Sequence, residues 1–203
     1  MFVLLLLLIL IDPVPGKSIA IARTNSSMSI PTLPFPNSIF QHKIRGNETN
    51  QTFVLFEAEY LNEGPGYHLH TKDDELFHVL DGKVQFIVNG SQFCASTGDY
   101  VYVPRNVSQG VRVYNPSNST KRVKIQIMLF PSGLENFLDE IAVLYDQDRS
   151  NQTAIDTISK KYGIIDLGPV QWNDLGCFDN NSVQLPSSVS MLIFFLLLNY
   201  ILE

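Results

Sequence analysis

The chain has 203 residues, of which 45% are hydrophobic, 17% are charged and only two are cysteines. With 14 Lys and Arg against 20 Asp and Glu, its formal net charge is −6. These values fit one domain with its own hydrophobic core, and they disfavour a disordered chain or a small fold built on disulfides. They leave no basic stripe, so we expect no nucleic-acid partner.

The N-terminus carries an uninterrupted apolar run over residues 2–11, followed by Pro13, Pro15 and Gly16. This run has the length of a signal-peptide core and is too short to span a bilayer. The pattern predicts a signal peptide over residues 1–16, although no Lys or Arg precedes the run. The alternative is a buried N-terminal strand. A signal peptide would send the mature chain into the secretory pathway.

The acceptor pattern for N-linked glycans, Asn-x-Ser/Thr, is a separate indication that the chain enters the secretory pathway. It occurs eight times, at Asn25, Asn47, Asn50, Asn89, Asn106, Asn118, Asn151 and Asn180. So many acceptors in a short chain are typical of a glycosylated surface or secreted protein. Some of them are equally typical of turns, as in Asn89-Gly90.

After the predicted signal peptide, residues 17–45 contain Pro31, Pro34 and Pro36 among polar residues and predict an irregular arm. Residues 46–131 change to short β-rich runs separated by turns. The predicted strands cover residues 52–60, 76–80, 83–88, 92–95, 100–103, 110–114 and 122–130. Many short strands at this spacing predict a barrel or sandwich, so the expected fold class is mainly β.

The stretch that carries chemistry is His68-x-His70, followed by Glu75. Residues two apart on a strand point to the same face, so His68 and His70 would present two imidazoles side by side. After a short turn, Glu75 can bring a carboxylate to the same place. Two imidazoles and one carboxylate form a facial triad suited to Fe(II) or another divalent first-row metal. By the same parity His78 points away and is expected to be structural.

At these residues the sequence resembles the cupin superfamily. His68, His70, Glu75 and Gly82 fill its first motif, His-x-His, four residues, Glu, six residues, Gly. The resemblance implies a double-stranded β-helix, or jelly-roll barrel, with C-terminal helices. The segment 132–137 is more loosely similar to single-domain quercetin dioxygenase-like cupins. The implied cofactor is a divalent metal ion (Fe, Cu, Mn, Ni or Zn) held by the two histidines and the glutamate.

The second motif of that superfamily is similar but altered. Gly98 and Pro104 keep their places, whereas Asn106 stands where the motif has a glycine and Gln109 where it has a metal-binding histidine. A neutral amide oxygen is a weak ligand for a borderline metal. The resemblance therefore implies either a weakened site, with Gln109 or water as the fourth ligand, or an empty barrel whose histidines hydrogen-bond Glu75.

Over residues 132–180 the apolar periodicity changes from two to about 3.6. Ser132 and Glu135 have the spacing of a capping box, and the apolar stripe behind them predicts a helix over 133–147. A second, weaker helix is predicted over 152–162, closed by Gly163. The tail after it, over residues 168–177, is expected to be irregular.

Cys94 and Cys177 are the only cysteines of the chain. In an oxidising compartment an even pair favours one disulfide, which would tie the C-terminal tail to the body of the domain. The alternative is two buried free thiols.

Near the C-terminus an apolar run over residues 191–202 is followed by no Lys or Arg and is preceded by a polar spacer, 183–190. Small residues before the spacer are candidate attachment sites: Asn180, Asn181 and Ser182. This layout is typical of a glycosylphosphatidylinositol (GPI) attachment signal, with 181–203 as the removed propeptide. The alternatives are a short tail-anchor helix and an amphipathic tail on a soluble protein.

The resemblance implies a metal-dependent, dioxygenase-like oxidoreductase acting on a small molecule, with Glu75 as its candidate catalytic base. The altered second motif, the glycan acceptors and the anchor signal favour instead a non-catalytic extracellular binding or matrix glycoprotein. Isomerase or epimerase chemistry would need a base–acid pair that the sequence does not identify. The expected partners are a small-molecule ligand and the membrane, through the lipid anchor, and the oligomeric state stays open.

Overall fold

The computed structural model describes residues 28–30, 38–62, 64–113 and 122–178. The predicted signal peptide and attachment signal lie outside these residues. So do several predicted sites: Asn25, Asn118, Asn180, Asn181 and Ser182. Within the described part of the chain, no helix is long and apolar enough to cross a membrane.

The described residues form strands and two C-terminal helices, which confirms the mainly β fold class. The strands are β1 (Met28–Ile30), β2 (Ser38–Ile44), β3 (Val54–Tyr60), β4 (His68–His70), β5 (Asp74–Asp81), β6 (Lys83–Val88), β7 (Ser91–Ser96), β8 (Tyr100–Val103), β9 (Ser108–Arg112), β10 (Val123–Phe130) and β11 (Ile164–Asp166). The helices are α1 (Leu134–Gln147) and α2 (Gln152–Tyr162).

Two antiparallel sheets face each other. One has the order β1-β2-β3-β10-β5-β8 and the other the order β11-β4-β9-β6-β7. The eight strands from β3 to β10 can be counted as the first to the eighth. In the first sheet, the first of these strands then pairs with the eighth, the eighth with the third and the third with the sixth. In the other sheet the second strand pairs with the seventh, the seventh with the fourth and the fourth with the fifth. This order is the jelly roll of two Greek keys, as the resemblance implies.

The core lies between the sheets because the strands alternate buried and half-buried side chains. Along β10 every second residue from Val123 to Leu129 is buried, and β5 buries Glu75, Phe77 and Val79 in the same way. Phe77 packs edge-on against Phe86 of β6, with ring centroids 5.2 Å apart. The parity predicted for Glu75 is therefore present, and it aims this carboxylate into the barrel.

The prediction of an irregular arm over 17–45 is wrong for its last part. Residues 38–44 form β2, which pairs antiparallel with β3 and buries Phe40 and His42, and β1 pairs with β2. The prolines all precede Ser38, so they leave the backbone N–H groups of β2 free to join the ladder. The sheet thus begins ahead of the predicted barrel boundary at residue 46.

The capping box predicted for Ser132 and Glu135 does not form. Helix α1 begins at Leu134, and the Ser132 hydroxyl donates to the side chain of Gln51 instead. The Glu135 carboxylate accepts from the backbone N–H of Gly133 at 2.7 Å and from that of Gly46 at 3.0 Å. Glu135 therefore ties the helix start to the segment after β2, a contact distant in sequence.

Helix α2 and the tail agree with their predictions. The Asn151 side chain caps the start of α2, and Gly163 ends it in the left-handed conformation. The short strand β11 then adds to the edge of the second sheet, which the sequence did not predict. Further on, Cys94 and Cys177 form the disulfide, with Cα atoms 5.5 Å apart, and this confirms the predicted pairing.

Candidate metal centre

Strand β4 carries His68 and His70 and lies between two neighbours in the second sheet. His68 is opposite Gln109 of β9 on one side and opposite Asp166 of β11 on the other. The imidazole rings of His68 and His70 lie side by side, with centroids 4.9 Å apart. The spacing predicted from the sequence therefore brings both rings to one face.

Glu75 comes from the opposite sheet, at the start of β5. The residue before it, Asp74, accepts from the Arg105 backbone N–H at 2.9 Å and from the Nε and Nη2 groups of its guanidinium at 2.9 and 3.0 Å. Arg105 directly follows Pro104, just past the end of β8, which pairs with β5. This clamp fixes the β5 terminus next to Glu75, so the carboxylate enters the barrel from a restrained backbone.

The three donor groups converge. One ligand atom from each of His68, His70 and Glu75 lies within 4.8 Å of the others. The two Nε2 atoms are 3.0 Å apart, and His70 Nε2 is 3.3 Å from Glu75 Oε2. His68 Nδ1 lies 2.7 Å from the carbonyl oxygen of Gly66. Nδ1 must donate there, which leaves the Nε2 lone pair directed at the cluster.

This donor set fits a divalent first-row metal ion. Two ligand atoms each about 2.1 Å from one ion and at right angles to each other are about 3.0 Å apart. The separations in the cluster, 3.0 and 3.3 Å, are close to that value. Behind His70, the buried Asp73 carboxylate lies 3.8 Å from Nδ1, where metal-binding histidines commonly have a carboxylate partner.

Gln109 is next to the cluster but presents its amide nitrogen to it. The Nε2 group donates a short hydrogen bond to Glu75 Oε2, and an amide NH₂ has no lone pair for a metal. The amide oxygen is buried and has no hydrogen-bond partner among the described residues. In this arrangement Gln109 steadies the glutamate, and it would ligate an ion only after its amide turned over.

The protonation of the cluster follows from its burial. Burial, and secondly the neighbouring His70, lowers the pKa of His68 to about 4. Burial also acts to lower the pKa of His70, but Asp73 and Glu75 outweigh it and raise that pKa above its usual value. The pKa of Glu75 is raised by burial, against the opposing effects of His70 and Gln109. At neutral pH His68 is therefore an uncharged imidazole.

A cavity of about 280 Å³ opens beside the cluster. The titratable residues in its wall include His68, His70, Glu75, Asp166 and Tyr60. Much of the remaining wall is aliphatic or aromatic, including Phe40, Phe56, Phe77, Ile127 and Leu129. The volume is just below the usual range for small-molecule sites, about 300–1,000 Å³.

Three residues of this region were not singled out by sequence reasoning: Tyr60, Asp73 and Asp166. Tyr60 is fully buried, and burial followed by the charge of Glu75 raises its pKa well above the usual value, so its phenol stays protonated. Only Asp73, three residues after His70, has a sequence signal. Tyr60 and Asp166 reach the cavity through strand pairing with distant segments. His78 instead stacks on Tyr100 with ring centroids 4.0 Å apart, as expected for a structural residue.

The five glycan acceptors within the described residues are all exposed: Asn47, Asn50, Asn89, Asn106 and Asn151. Asn50, Asn89 and Asn106 have positive φ, which places them in tight turns. Their side chains are therefore accessible for modification. The Asn151 side chain also accepts the N-cap hydrogen bond from Ala154.

Solved structures that share similarity with this chain are distant in sequence. KdgF from Halomonas sp. is 12% identical, with 58% of this chain and 99% of that chain covered and a TM-score of 0.48. An RmlC-like cupin from Shewanella frigidimarina is 13% identical, with 59% and 96% covered and a TM-score of 0.47. Streptomyces Pac13, described as a nucleoside dehydratase, is 11% identical, with 59% and 88% covered and a TM-score of 0.45.

No protein with a curated description matches this chain in sequence. Residues 61–128 match the family described as "Cupin domain". That match spans the strands from β4 to most of β10 and includes His68, His70, Glu75 and Gln109. Together with the jelly-roll order of the two sheets, this match identifies residues 61–128 as a cupin domain.

Proposed function

We propose that the protein is a metal-binding cupin displayed at the cell surface. It holds a divalent first-row ion (Fe, Cu, Mn, Ni or Zn) through His68, His70 and Glu75, and a small, mainly apolar molecule in the adjoining cavity. One observation carries this proposal: the three donor atoms lie within 4.8 Å of one another in the wall of a 280 Å³ cavity.

A bound ion would supply Lewis-acid polarisation, or redox chemistry if it is iron or copper, and this supports a dioxygenase-like activity. The surrounding residues prepare the site for such a reaction. The Gly66 carbonyl fixes the His68 tautomer, and the Gln109 amide orients Glu75. The mainly apolar wall, to which Tyr60 also belongs, excludes water from a bound molecule.

A second candidate is a non-catalytic extracellular binding or matrix glycoprotein on the same fold. Gln109 favours it, because the position of the fourth metal ligand, a histidine in the motif, holds an amide that already donates to Glu75. In this candidate function the barrel holds no ion, and the protonated Nε2 of His70 donates a hydrogen bond to Glu75. The metal content of the purified protein separates the two candidates.

For the metal-binding function, we expect the ectodomain purified after secretion to contain about one equivalent of a divalent metal by elemental analysis. His68→Ala removes one of three protein ligands and should reduce the content to below about a tenth of that value. His78→Ala is the matched control, since His78 stacks on Tyr100 outside the site and should leave the metal content unchanged.

A folded wild-type protein that stays empty after incubation with each of the five metals would overturn the metal-binding function and favour the non-catalytic one. Equal metal content in the His68→Ala and His78→Ala variants would show that any bound metal lies elsewhere.

The cell-surface part of the proposal rests on the signal-peptide and GPI patterns in the sequence and on the exposure of five glycan acceptors. We expect a phosphatidylinositol-specific phospholipase to release the protein from intact cells. We also expect peptide N-glycosidase to lower its apparent mass. Protein that stays with the cells after the lipase, or whose mass is unchanged by the glycosidase, would contradict the corresponding assignment.

A further inference from the structure

Part of the cavity wall lies outside the matched cupin domain. Leu134, Phe137 and Ile141 of α1, Ile155 of α2 and Ile164 of β11 all line the cavity, and all follow residue 128. Phe137 also packs edge-on against Tyr162, with ring centroids 6.0 Å apart. The two helices and β11, here called the C-terminal cap, thus cover one side of the cavity with aliphatic and aromatic groups.

The cap is fastened to the first sheet by charged groups. The Arg45 guanidinium donates to both carboxylate oxygens of Asp139 in α1, at 2.9 and 3.1 Å. Glu135 binds the backbone N–H of Gly46 from the same helix. The apolar wall that the cap contributes is therefore held in place by contacts outside the cavity.

Among the described residues, the cavity lining carries more negative than positive side chains. It includes the carboxylates of Glu75 and Asp166 and neither Lys nor Arg, and the buried Asp73 carboxylate is adjacent, behind His70. A divalent ion would bring two positive charges against these three carboxylates, and in the metal-free site a protonated His70 would bring one. An anionic ligand would thus meet a negative potential inside an apolar wall, where charges are poorly solvated.

Asp166 lies at the entrance of the cavity. It lines the cavity and is also exposed, so its carboxylate lies where the cavity meets solvent. Its position is fixed by the pairing of β11 with β4, opposite His68, and by the Gly168 N–H, which donates to its carboxylate at 2.8 Å.

We propose that the cavity is selective for an uncharged apolar molecule, with the C-terminal cap as its apolar wall and Asp166 as the residue that disfavours anions. This inference rests on the proposed small-molecule function and names the ligand class. It is expected with and without a bound ion, since the three carboxylates outnumber the positive charges in either case.

Two fluorescent probes with one aromatic skeleton test the charge selectivity. N-phenyl-1-naphthylamine is neutral, and 8-anilinonaphthalene-1-sulfonate is its sulfonated analogue. We expect the full ectodomain to bind the neutral probe about tenfold more tightly, before and after chelation. Equal affinities, or tighter binding of the sulfonate, would overturn the proposed selectivity even if the metal content is as predicted.

Paired variants test whether the neutral probe binds against the C-terminal cap. Ile141→Trp adds a large ring to a cavity-lining position that is 1% exposed and should abolish binding of the neutral probe. Val143→Trp, on the same helix at 59% exposure, should bind as wild type does. Cooperative thermal unfolding must be retained in both, and Ile155→Phe replaces Ile141→Trp if the latter unfolds. Equal binding by the cavity and surface variants would refute the cap as a ligand wall.

Asp166→Lys should bring the affinity for the sulfonate to at least that for the neutral probe. Asp174→Lys is its matched control, because Asp174 also accepts from a glycine N–H two residues on, at 3.1 Å, but does not line the cavity. If both lysine variants shift the sulfonate affinity equally, net charge explains the preference and Asp166 has no specific role.

Discussion

At the scale of single residues, His68 combines a fixed tautomer with a strongly lowered pKa. Its Nδ1 donates to the Gly66 carbonyl, and burial followed by the charge of His70 lowers its pKa to about 4. A histidine that stays neutral to such low pH keeps its Nε2 lone pair available for a metal. The same shift makes the stability of the metal-free protein depend on pH.

We expect His68 to lower the stability of the metal-free protein as the pH falls from 6.5 towards about 4. In that interval the unfolded state protonates His68 whereas the folded state does not, so acid favours unfolding by up to about 1.4 kcal/mol per pH unit. His70 adds little there, because its raised pKa leaves it protonated in both states. His68→Gln, measured by urea unfolding at several pH values, should show a shallower decline, and an unchanged decline would contradict the assignment.

The sequence predicts the cluster better than its surroundings. His68, His70 and Glu75 follow from strand parity across one short turn, and the structure brings their donor atoms together. The orientation of the Gln109 amide is decided by Glu75 on the opposite sheet, and Asp166 arrives through a three-residue strand. Such contacts between distant segments leave no local pattern to detect.

At the scale of elements, Glu135 joins α1 to the barrel. It is only 4% exposed, and its two carboxylate oxygens accept from the N–H groups of Gly46 and Gly133. Gly46 leaves no room for a side chain, because a Cβ there would lie 2.5 Å from Ser132 Cβ. The helix start and the segment after β2 are therefore fitted to each other closely.

Glu135→Ala should lower the free energy of unfolding by about 1–3 kcal/mol, because it leaves two N–H groups without their acceptor. Asn136→Ala, at the adjacent exposed position of the same helix, should change it by less than about 0.5 kcal/mol. Urea unfolding of both variants measures the difference. Equal, small effects would mean that the carboxylate contributes nothing to holding the cap.

Elements with long, regular alternation of apolar residues are among those that the sequence predicts. Strand β10 and helices α1 and α2 agree with prediction to within a residue or two, because their apolar positions recur over seven or more residues. Strand β11 is too short to show a period, and the proline-rich lead-in conceals β2. Both form because a neighbouring strand edge offers backbone partners.

At the scale of the whole molecule, one covalent link and one candidate ion connect distant parts of the chain. The Cys94–Cys177 disulfide closes a loop with a sequence separation of 83, which by chain entropy stabilises the fold by about 4–5 kcal/mol. The side chains of Gln85 and Gln92 donate to the backbone carbonyls of Asn173 and Gln171 in the same tail. The tail is therefore part of the folded body.

The central claim is that a metal ion binds the native state through His68, His70 and Glu75. Such an ion must stabilise the fold, by about 2.7 kcal/mol when its free concentration is 100 times Kd. The most direct measurement is the thermal unfolding midpoint of the wild type with added metal and after chelation, beside His68→Ala and His78→Ala. We predict a lower midpoint after chelation for the wild type and for His78→Ala and no change for His68→Ala; a wild-type midpoint that is the same in both conditions would contradict the claim.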